Sequence, residues 1–298
     1  MQDLLNTKPA EKKKVTFKEL YDKWLPTHRA GKSTINCYKA AIKYFKPIWF
    51  MQMADIDVDD LQECMDDCPH GKRTRENMKA ACGLVYKYGI PRKVIPENLN
   101  LAEFLIVEGE GAAHRSSFTD VEIEKIKKAC GKIPHAEDIY CMIYTGFRPS
   151  EFLDLTAADY DKKHQTLTGG AKTEAGKGRV VTLSPKIAPI IERQAASGGP
   201  LFADDNGKAW RLKDFTESAF YPALEAIGID NPIVEIAGGM KRHRITPHSC
   251  RHTFATLMKR VDGADKDKQE LIGHASAEML RYYQDVEIAD LKRITDVI

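Results

Sequence analysis

Between Val107 and Ser117 the sequence loses its hydrophobic periodicity: Gly109 and Gly111 stand among small and charged residues, while apolar residues recur at helical spacing on both sides. A chain interrupted in this way folds as two units, and 298 residues suffice for two domains of about 100–200 residues each. The pattern divides the chain into a polar, Lys-rich flexible leader (1–14), a helical domain (15–106), a linker (107–117) and a second domain (118–298) with a C-terminal tail from about 286. The expected class is mainly α, with an all-α first domain and a mainly α second domain holding a small β-sheet or hairpin.

The local signals are mostly those of helix ends. Thr16 followed by Glu19 forms a capping box ahead of Phe17, Leu20, Tyr21 and Trp24, and Pro26 stops the pattern. Further helices are expected from Ser33 to before Pro47, over Asp57–Cys68, and over Arg73–Tyr88, which Gly89 and Pro91 end. In the second half, Thr119, Asp120 and Glu122 cap a helix running to Ala129, and Ala136–Thr145 forms another that ends at Gly146. Gln165–Thr168 and Arg179–Leu183 have β character around a Gly-rich, Lys-containing connection and read as a hairpin. Helices resume over Pro185–Gln194, Leu212–Ile227, His248–Met258, Lys266–Ile272 and Ala277–Tyr283. On the helical tail, Ile288, Leu291 and Ile294 or Ile298 share one stripe, able to pack in cis or on a neighbouring protomer.

Composition excludes several classes. A hydrophobic fraction of 43% with 30% charged residues is that of a globular protein, and no apolar run approaches the ~20 residues needed to span a bilayer. With no apolar signal core at the N-terminus, a cytoplasmic protein is expected. The seven cysteines lack the spacing of a disulfide framework, and Cys64, Cys68 and His70 lack a second ligand pair for zinc, so they read as a helix end with half-buried thiols. Net charge is only +2, but cations cluster at Lys12–Lys14, at Lys39, Lys43 and Lys46, at Lys72, Arg73 and Arg75, and at Lys241, Arg242 and Arg244. Acidic residues concentrate elsewhere, at Asp55–Asp67, so the sum conceals the material for a basic groove.

Three segments place cationic or proton-transferring groups at element boundaries. In Thr145-Gly-Phe-Arg-Pro-Ser-Glu-Phe-Leu-Asp-Leu155, Gly146 ends one helix and Pro149 opens the next, fixing Arg148 on the turn. In Pro247-His-Ser-Cys-Arg-His-Thr-Phe254, His248 and Arg251 are three residues apart on one face near the positive end of a helix dipole, a surface suited to phosphate, although His248 could also merely cap. The third segment is Leu271-Ile-Gly-His-Ala-Ser276, followed by Tyr282 and Tyr283.

In this order and spacing the three segments resemble the tyrosine recombinase (phage integrase) family. The resemblance implies a core-binding (SAM-like) DNA-binding domain, a linker and a catalytic domain. It implies Arg148 as the first catalytic arginine, His248 and Arg251 as the His-x-x-Arg pair, and His274 as the next histidine. Tyr283, nine residues after His274, is then the nucleophile, with Tyr282 as the competing register. Lys172-Thr173 ahead of Arg179-Val-Val-Thr-Leu183 matches the context of the family's hairpin lysine, with Lys177 in the same turn as the alternative. Glu151 is implied as a support of the arginine turn.

The chemistry has a reason independent of the family. A phosphodiester repels a nucleophile with its own charge, so a phenol attacks only where cations compensate, and preorganised donors in comparable oxyanion sites contribute roughly 3–4 kcal/mol apiece. A phenol of pKa ~10 also needs a proton acceptor, for which His248 is suited, and the leaving 5′ oxygen needs a proton, for which Lys172 is suited. The bond energy is retained in the phosphotyrosyl ester, so the expected enzyme needs no cofactor and no metal. The expected activity is site-specific integration or excision of a mobile element through a 3′-phosphotyrosyl intermediate and a Holliday junction. A chromosome-resolving recombinase, a type IB topoisomerase and a non-catalytic DNA-binding protein are the alternatives. The expected partners are duplex attachment sites, three further copies of the chain on DNA (a monomer off DNA), and accessory bending or directionality factors, with no membrane. Lys39, Lys43, Lys72, Arg73 and Arg75 are the candidate backbone contacts. A preceding arm-binding domain does not fit in 14 leader residues, so either the architecture is the simpler one or the chain is part of a longer one.

Overall fold

The computed structural model describes residues 14–109, 116–170, 178–236 and 240–273. Two compact units divide between Ala113 and His114, with the short segment Glu235–Lys241 grouped with the first.

The first unit contains α1 (Phe17–Trp24), α2 (Lys32–Ala41), α3 (Val58–Asp66) and α4 (Lys72–Gly89), joined by 3₁₀ turns. Local chemistry sets two of the starts: Thr16 and Glu19 close a reciprocal cap on α1, and Asp57 and Asp60 close one on α3. Pro47 lies inside a 3₁₀ segment, Ile42–Ile48, so the second helix stops being α at Ala41 instead of running to the proline. The core is built from Phe17, Leu20, Trp24, Phe45, Leu61, Met65, Met78 and Val85, with the rings of Phe17 and Phe45 5.6 Å apart. Cys64 and Cys68 belong to this core and are fully buried, not half-buried as expected; burial beside Glu63 pushes the Cys64 thiol up to about 11. Among the described residues no group of three His, Cys, Asp or Glu side chains is placed to hold a metal ion.

The second unit packs α5 (Asp120–Ala129) and α11 (Pro247–Lys259) on α6 (Ala136–Thr145). Ile139, Cys141, Met142 and Ile143 are all buried, so beyond its acidic first turn α6 is enclosed on every side and forms the centre of the unit. The short α7 (Pro149–Leu153) follows, and Phe152 stacks on Phe202 at 4.0 Å. The expected small sheet is there: the hairpin strands β2 (Thr166–Gly169) and β3 (Arg179–Thr182) are joined by β1 (Tyr160–Asp161) in an antiparallel sheet of order β1-β2-β3. Leu167 faces Val181 and Gly169 faces Arg179, so Leu167, Val181 and Arg179 point into the unit.

Next come α8 (Ala188–Ala196), then α9 (Leu212–Phe215), a π turn over Thr216–Phe220, and α10 (Tyr221–Ile227). The last three run as the single helix the sequence suggests. Pro222 has no N–H to give to Ser218, and the helix passes that point through its π turn. A second small sheet of β4 (Ile233–Ile236) and β5 (Met240–His243) had no counterpart in the sequence reading. The described chain ends on α12 (Asp265–Ile272) and Gly273. No helix among the described residues is long and apolar enough to cross a membrane.

Candidate active site

Arg148 sits on the turn between α6 and α7. Gly146 closes α6 with φ +63°, a conformation that favours glycine, and a Cβ there would lie 2.1 Å from Phe254 Cδ1 of α11. The missing side chain therefore lets the turn lie directly on α11. Arg251, one helical turn before Phe254 on α11, has no exposed surface and donates from Nη1 to the Gly146 carbonyl at 2.7 Å. A guanidinium from one helix thus fixes the turn that carries the other arginine.

Glu151 holds that turn from the opposite side. Its Oε1 accepts from Arg148 Nη1 at 2.9 Å, and its Oε2 accepts from the Arg148 backbone N–H at 3.1 Å. The carboxylate side chain is 4% exposed and the Arg148 side chain 17%, so Glu151 is spent on positioning while Arg148 keeps an open edge.

His248 lies in the first turn of α11, where Thr246 and Ser249 cap the helix reciprocally, so His248 does not supply the cap. Beside it opens a cavity of about 250 Å3, lined by Pro149, Thr216, Tyr221, Arg242, Thr246 and His248. Pro149 is the neighbour of Arg148 in sequence, so the imidazole and the arginine turn border the same space. The structure therefore brings Arg148, His248 and Arg251 together at the N-terminal end of α11. Lys172, Lys177, His274, Tyr282 and Tyr283 lie outside the described residues.

One residue that sequence reasoning left out of the site belongs beside it. Arg179 of β3 is buried, its guanidinium lies 4.4 Å above the Phe147 ring, and its Nη2 is 3.7 Å from Glu151 Oε2. Its phase was the available signal, since Arg179 alternates with Val181 and so points inward. Desolvation drives this guanidinium down to about 10, opposed by Glu151 and reinforced by Arg148.

In the first unit, Lys39, Lys43 and Arg73 are exposed and Lys72 is half-buried. Arg75 differs: its fork donates to the Cys68 carbonyl at 3.0 Å, the Glu108 carbonyl at 3.1 Å and the Asp66 carbonyl at 3.4 Å. It caps the end of α3 and is part of the scaffold. Of the basic group around β5, Arg244 is bound to Glu122 and to the Asp230 carbonyl.

The sequence profile of the Phage integrase family matches residues 117–289, more than half of the chain. The chain belongs to the phage integrase family. It is accordingly a tyrosine-type site-specific DNA recombinase. A tyrosine recombinase of Thermosipho africanus is 24% identical, covering 94% of this chain and 97% of its own. The tyrosine recombinase XerC of Pelobacter propionicus is 32% identical over 51% of this chain and 47% of its own. The fold matches that of the Tn1549 transposon integrase bound to transposon right end DNA, with a TM-score of 0.75 at 16% identity over 95% of this chain and 99% of that one. It also matches that of a lambda integrase tetramer bound to a Holliday junction, with a TM-score of 0.71 at 16% identity over 92% and 78%.

Proposed function

We propose that this recombinase cleaves and rejoins duplex DNA at specific sites through a 3′-phosphotyrosyl intermediate, with Tyr283 as nucleophile and Arg148, Lys172, His248, Arg251 and His274 as its catalytic partners. The observation that carries the proposal is Arg251 donating into the turn of Arg148, with His248 at the rim of the same site. Arg148, held this way with an open edge, is preorganised for a non-bridging oxygen of the phosphodiester, and the Arg251 charge stands directly behind its turn. His248 takes the phenol proton, the Tyr283 oxygen bonds to phosphorus, and the bond from phosphorus to the 5′ oxygen breaks. Lys172 delivers the proton to that oxygen, and His274 donates to the phosphoryl group or positions Tyr283. One phosphoester replaces another, so the step reverses without ATP or a divalent ion.

The helical unit of residues 15–106 is the core-binding DNA module in this reading, with Lys39, Lys43, Lys72 and Arg73 on the backbone and Arg75 as its internal brace. Assembly of four protomers on paired sites, strand exchange through a Holliday junction, and integration or excision of a mobile element complete the proposal. The relatives named XerC favour a second reading, resolution of chromosome dimers by the same chemistry.

The test uses a duplex selected by the protein from a random-sequence pool, nicked so that the cleaved end is lost, and incubated in EDTA. A covalent adduct on a denaturing gel, absent in Tyr283→Phe and present in Tyr282→Phe, is expected. Loss only in Tyr282→Phe shifts the nucleophile by one residue. Tight binding without any adduct refutes the strand-cleavage reading. The selected sequence, mapped to the ends of an element or to a single chromosomal locus, separates the two biological roles.

A further inference from the structure

A buried arginine is costly unless its charge and its donors are matched, and Arg179 is only partly matched. Strand alternation turns it inward with Val181, its side chain is 3% exposed, and its Nη1 donates to the Ile272 carbonyl at the end of α12. Gly273 follows, with φ +68°, a conformation that favours glycine, and a Cβ there would lie 2.9 Å from Arg179 Nη1 and press on the guanidinium. Nε and Nη2 of Arg179 have no hydrogen-bond partner among the described residues. An aliphatic residue would fill this space without a desolvation cost, so the cation needs a reason beyond packing.

The charge balance around Glu151 supplies one. Arg148 and Glu151 alone form a neutral pair, so without a further cation on that carboxylate the turn itself would add no net charge to that of Arg251 behind it. Arg179 is the second guanidinium on the same carboxylate, 3.7 Å from Oε2, while Arg148 occupies Oε1. Two cations on one anion leave a net charge of about +1, and in a desolvated site that charge is felt at the open edge of Arg148. The stack on Phe147, the residue before Arg148, and the bond to Ile272 fix where the charge sits.

We propose that Arg179 is a positioning residue for strand cleavage: by sharing Glu151 it keeps the Arg148 turn net cationic toward the scissile phosphate, and it ties that turn to β3 and to the end of α12. The inference rests on the strand-cleavage reading above. It predicts a defect that depends on the charge of the phosphate, which a loss of packing would not produce.

The experiment compares wild type with Arg179→Met, Arg179→Gln and Arg179→Lys on the selected nicked duplex. One substrate carries the natural phosphodiester at the cleavage point and the other an uncharged methylphosphonate. Arg179→Met is expected to form the adduct about 100-fold more slowly on the phosphodiester and within about 5-fold of wild type on the methylphosphonate, the range of one lost oxyanion donor. Arg179→Lys keeps the charge and is expected within roughly 10-fold of wild type on the phosphodiester, whereas the neutral Arg179→Gln is expected to be as slow there as Arg179→Met. Wild-type speed of Arg179→Met on the phosphodiester, or equal slowing on both substrates with unchanged thermal unfolding, overturns the inference. Should Arg179→Met not fold, Arg179→Gln, neutral but able to donate to the Ile272 carbonyl, decides: folded and at wild-type speed on the phosphodiester, it overturns the inference equally. A wild type that binds and forms no adduct fails the strand-cleavage reading instead, so the two failures are distinct.

Discussion

Replacing Gly146 by alanine tests whether the arginine turn is held by contact with α11. Two costs add. Alanine at φ +63° enters the left-handed region, which costs about 1–2 kcal/mol. Its Cβ would also stand 2.1 Å from Phe254 Cδ1 and 2.7 Å from Cγ, closer than real contacts allow, and overpacking of this kind costs about 1–3 kcal/mol. The expected loss is therefore about 2–5 kcal/mol, or some 4–20 °C in the melting temperature of a unit this size. Gly228, the residue after α10, is the internal control: φ is +75° and nothing lies within 4 Å of a Cβ, so Gly228→Ala bears only the backbone cost of about 1–2 kcal/mol. Calorimetry gives the losses, and hydrogen exchange over residues 136–155 locates the effect in the second unit. Gly146→Ala/Phe254→Leu is expected to recover about 1 kcal/mol or more, the coupling of residues in direct contact. Equal losses for Gly146→Ala and Gly228→Ala would show that Phe254 yields without cost and that the turn does not depend on this contact.

Other perturbations separate scaffold from chemistry. Glu151→Ala leaves two guanidiniums sharing no carboxylate, one of them buried, and is expected to cost about 3–5 kcal/mol in urea unfolding; a loss below about 1 kcal/mol would mean that the charges are compensated elsewhere. Lys39→Ala is expected to reduce the slope of log affinity against log salt by about 1 with no change in melting, whereas Arg75→Ala is expected to lower melting through the three carbonyls it leaves, and the reverse pattern would exchange their roles. His135, 2.8 Å from Asp138, has its pKa raised by that hydrogen bond, so its contribution is complete below the ordinary value near ~6.5 and lost as pH rises through the raised one. His135→Asn keeps the left-handed backbone tolerable and is expected to destabilise more at about pH 6 than at about pH 9; an equal loss at both would show that the imidazole acts by packing alone.

What could be read along the chain was whatever neighbours in sequence determine. The caps at Thr16 and Thr119 are reciprocal bonds within four residues, and both helices start where those bonds require. Gly146 ends α6 because a single backbone conformation is at stake, and His248 and Arg251 share a helix face by spacing alone. The two-residue β1 was missed because so short a strand has no room for an alternation to show. Charged residues failed for a different reason. Arg75 reads as one of three clustered cations, yet its fork is directed by carbonyls at positions 66, 68 and 108, which only the tertiary fold brings within reach.

Arg179 is the fullest case of that failure. Its phase along β3 was visible, but a charge in an inward phase reads locally as an exception to the strand, and the reason for it lies 28 residues upstream at Glu151 and 93 residues downstream at Ile272. Fully exposed, the side chain would satisfy its own donors in water and leave Glu151 to neutralise Arg148. Replaced by an apolar residue, it would pack at lower cost with the same electrostatic result. Only burial against a carboxylate that another arginine already occupies gives a rigid turn with charge left over, and that surplus is what an anionic substrate needs. The site thus gives up stability for a cation almost shut off from solvent, which is why the phosphate-charge dependence of Arg179→Met, rather than its melting temperature, is the measurement that bears on function.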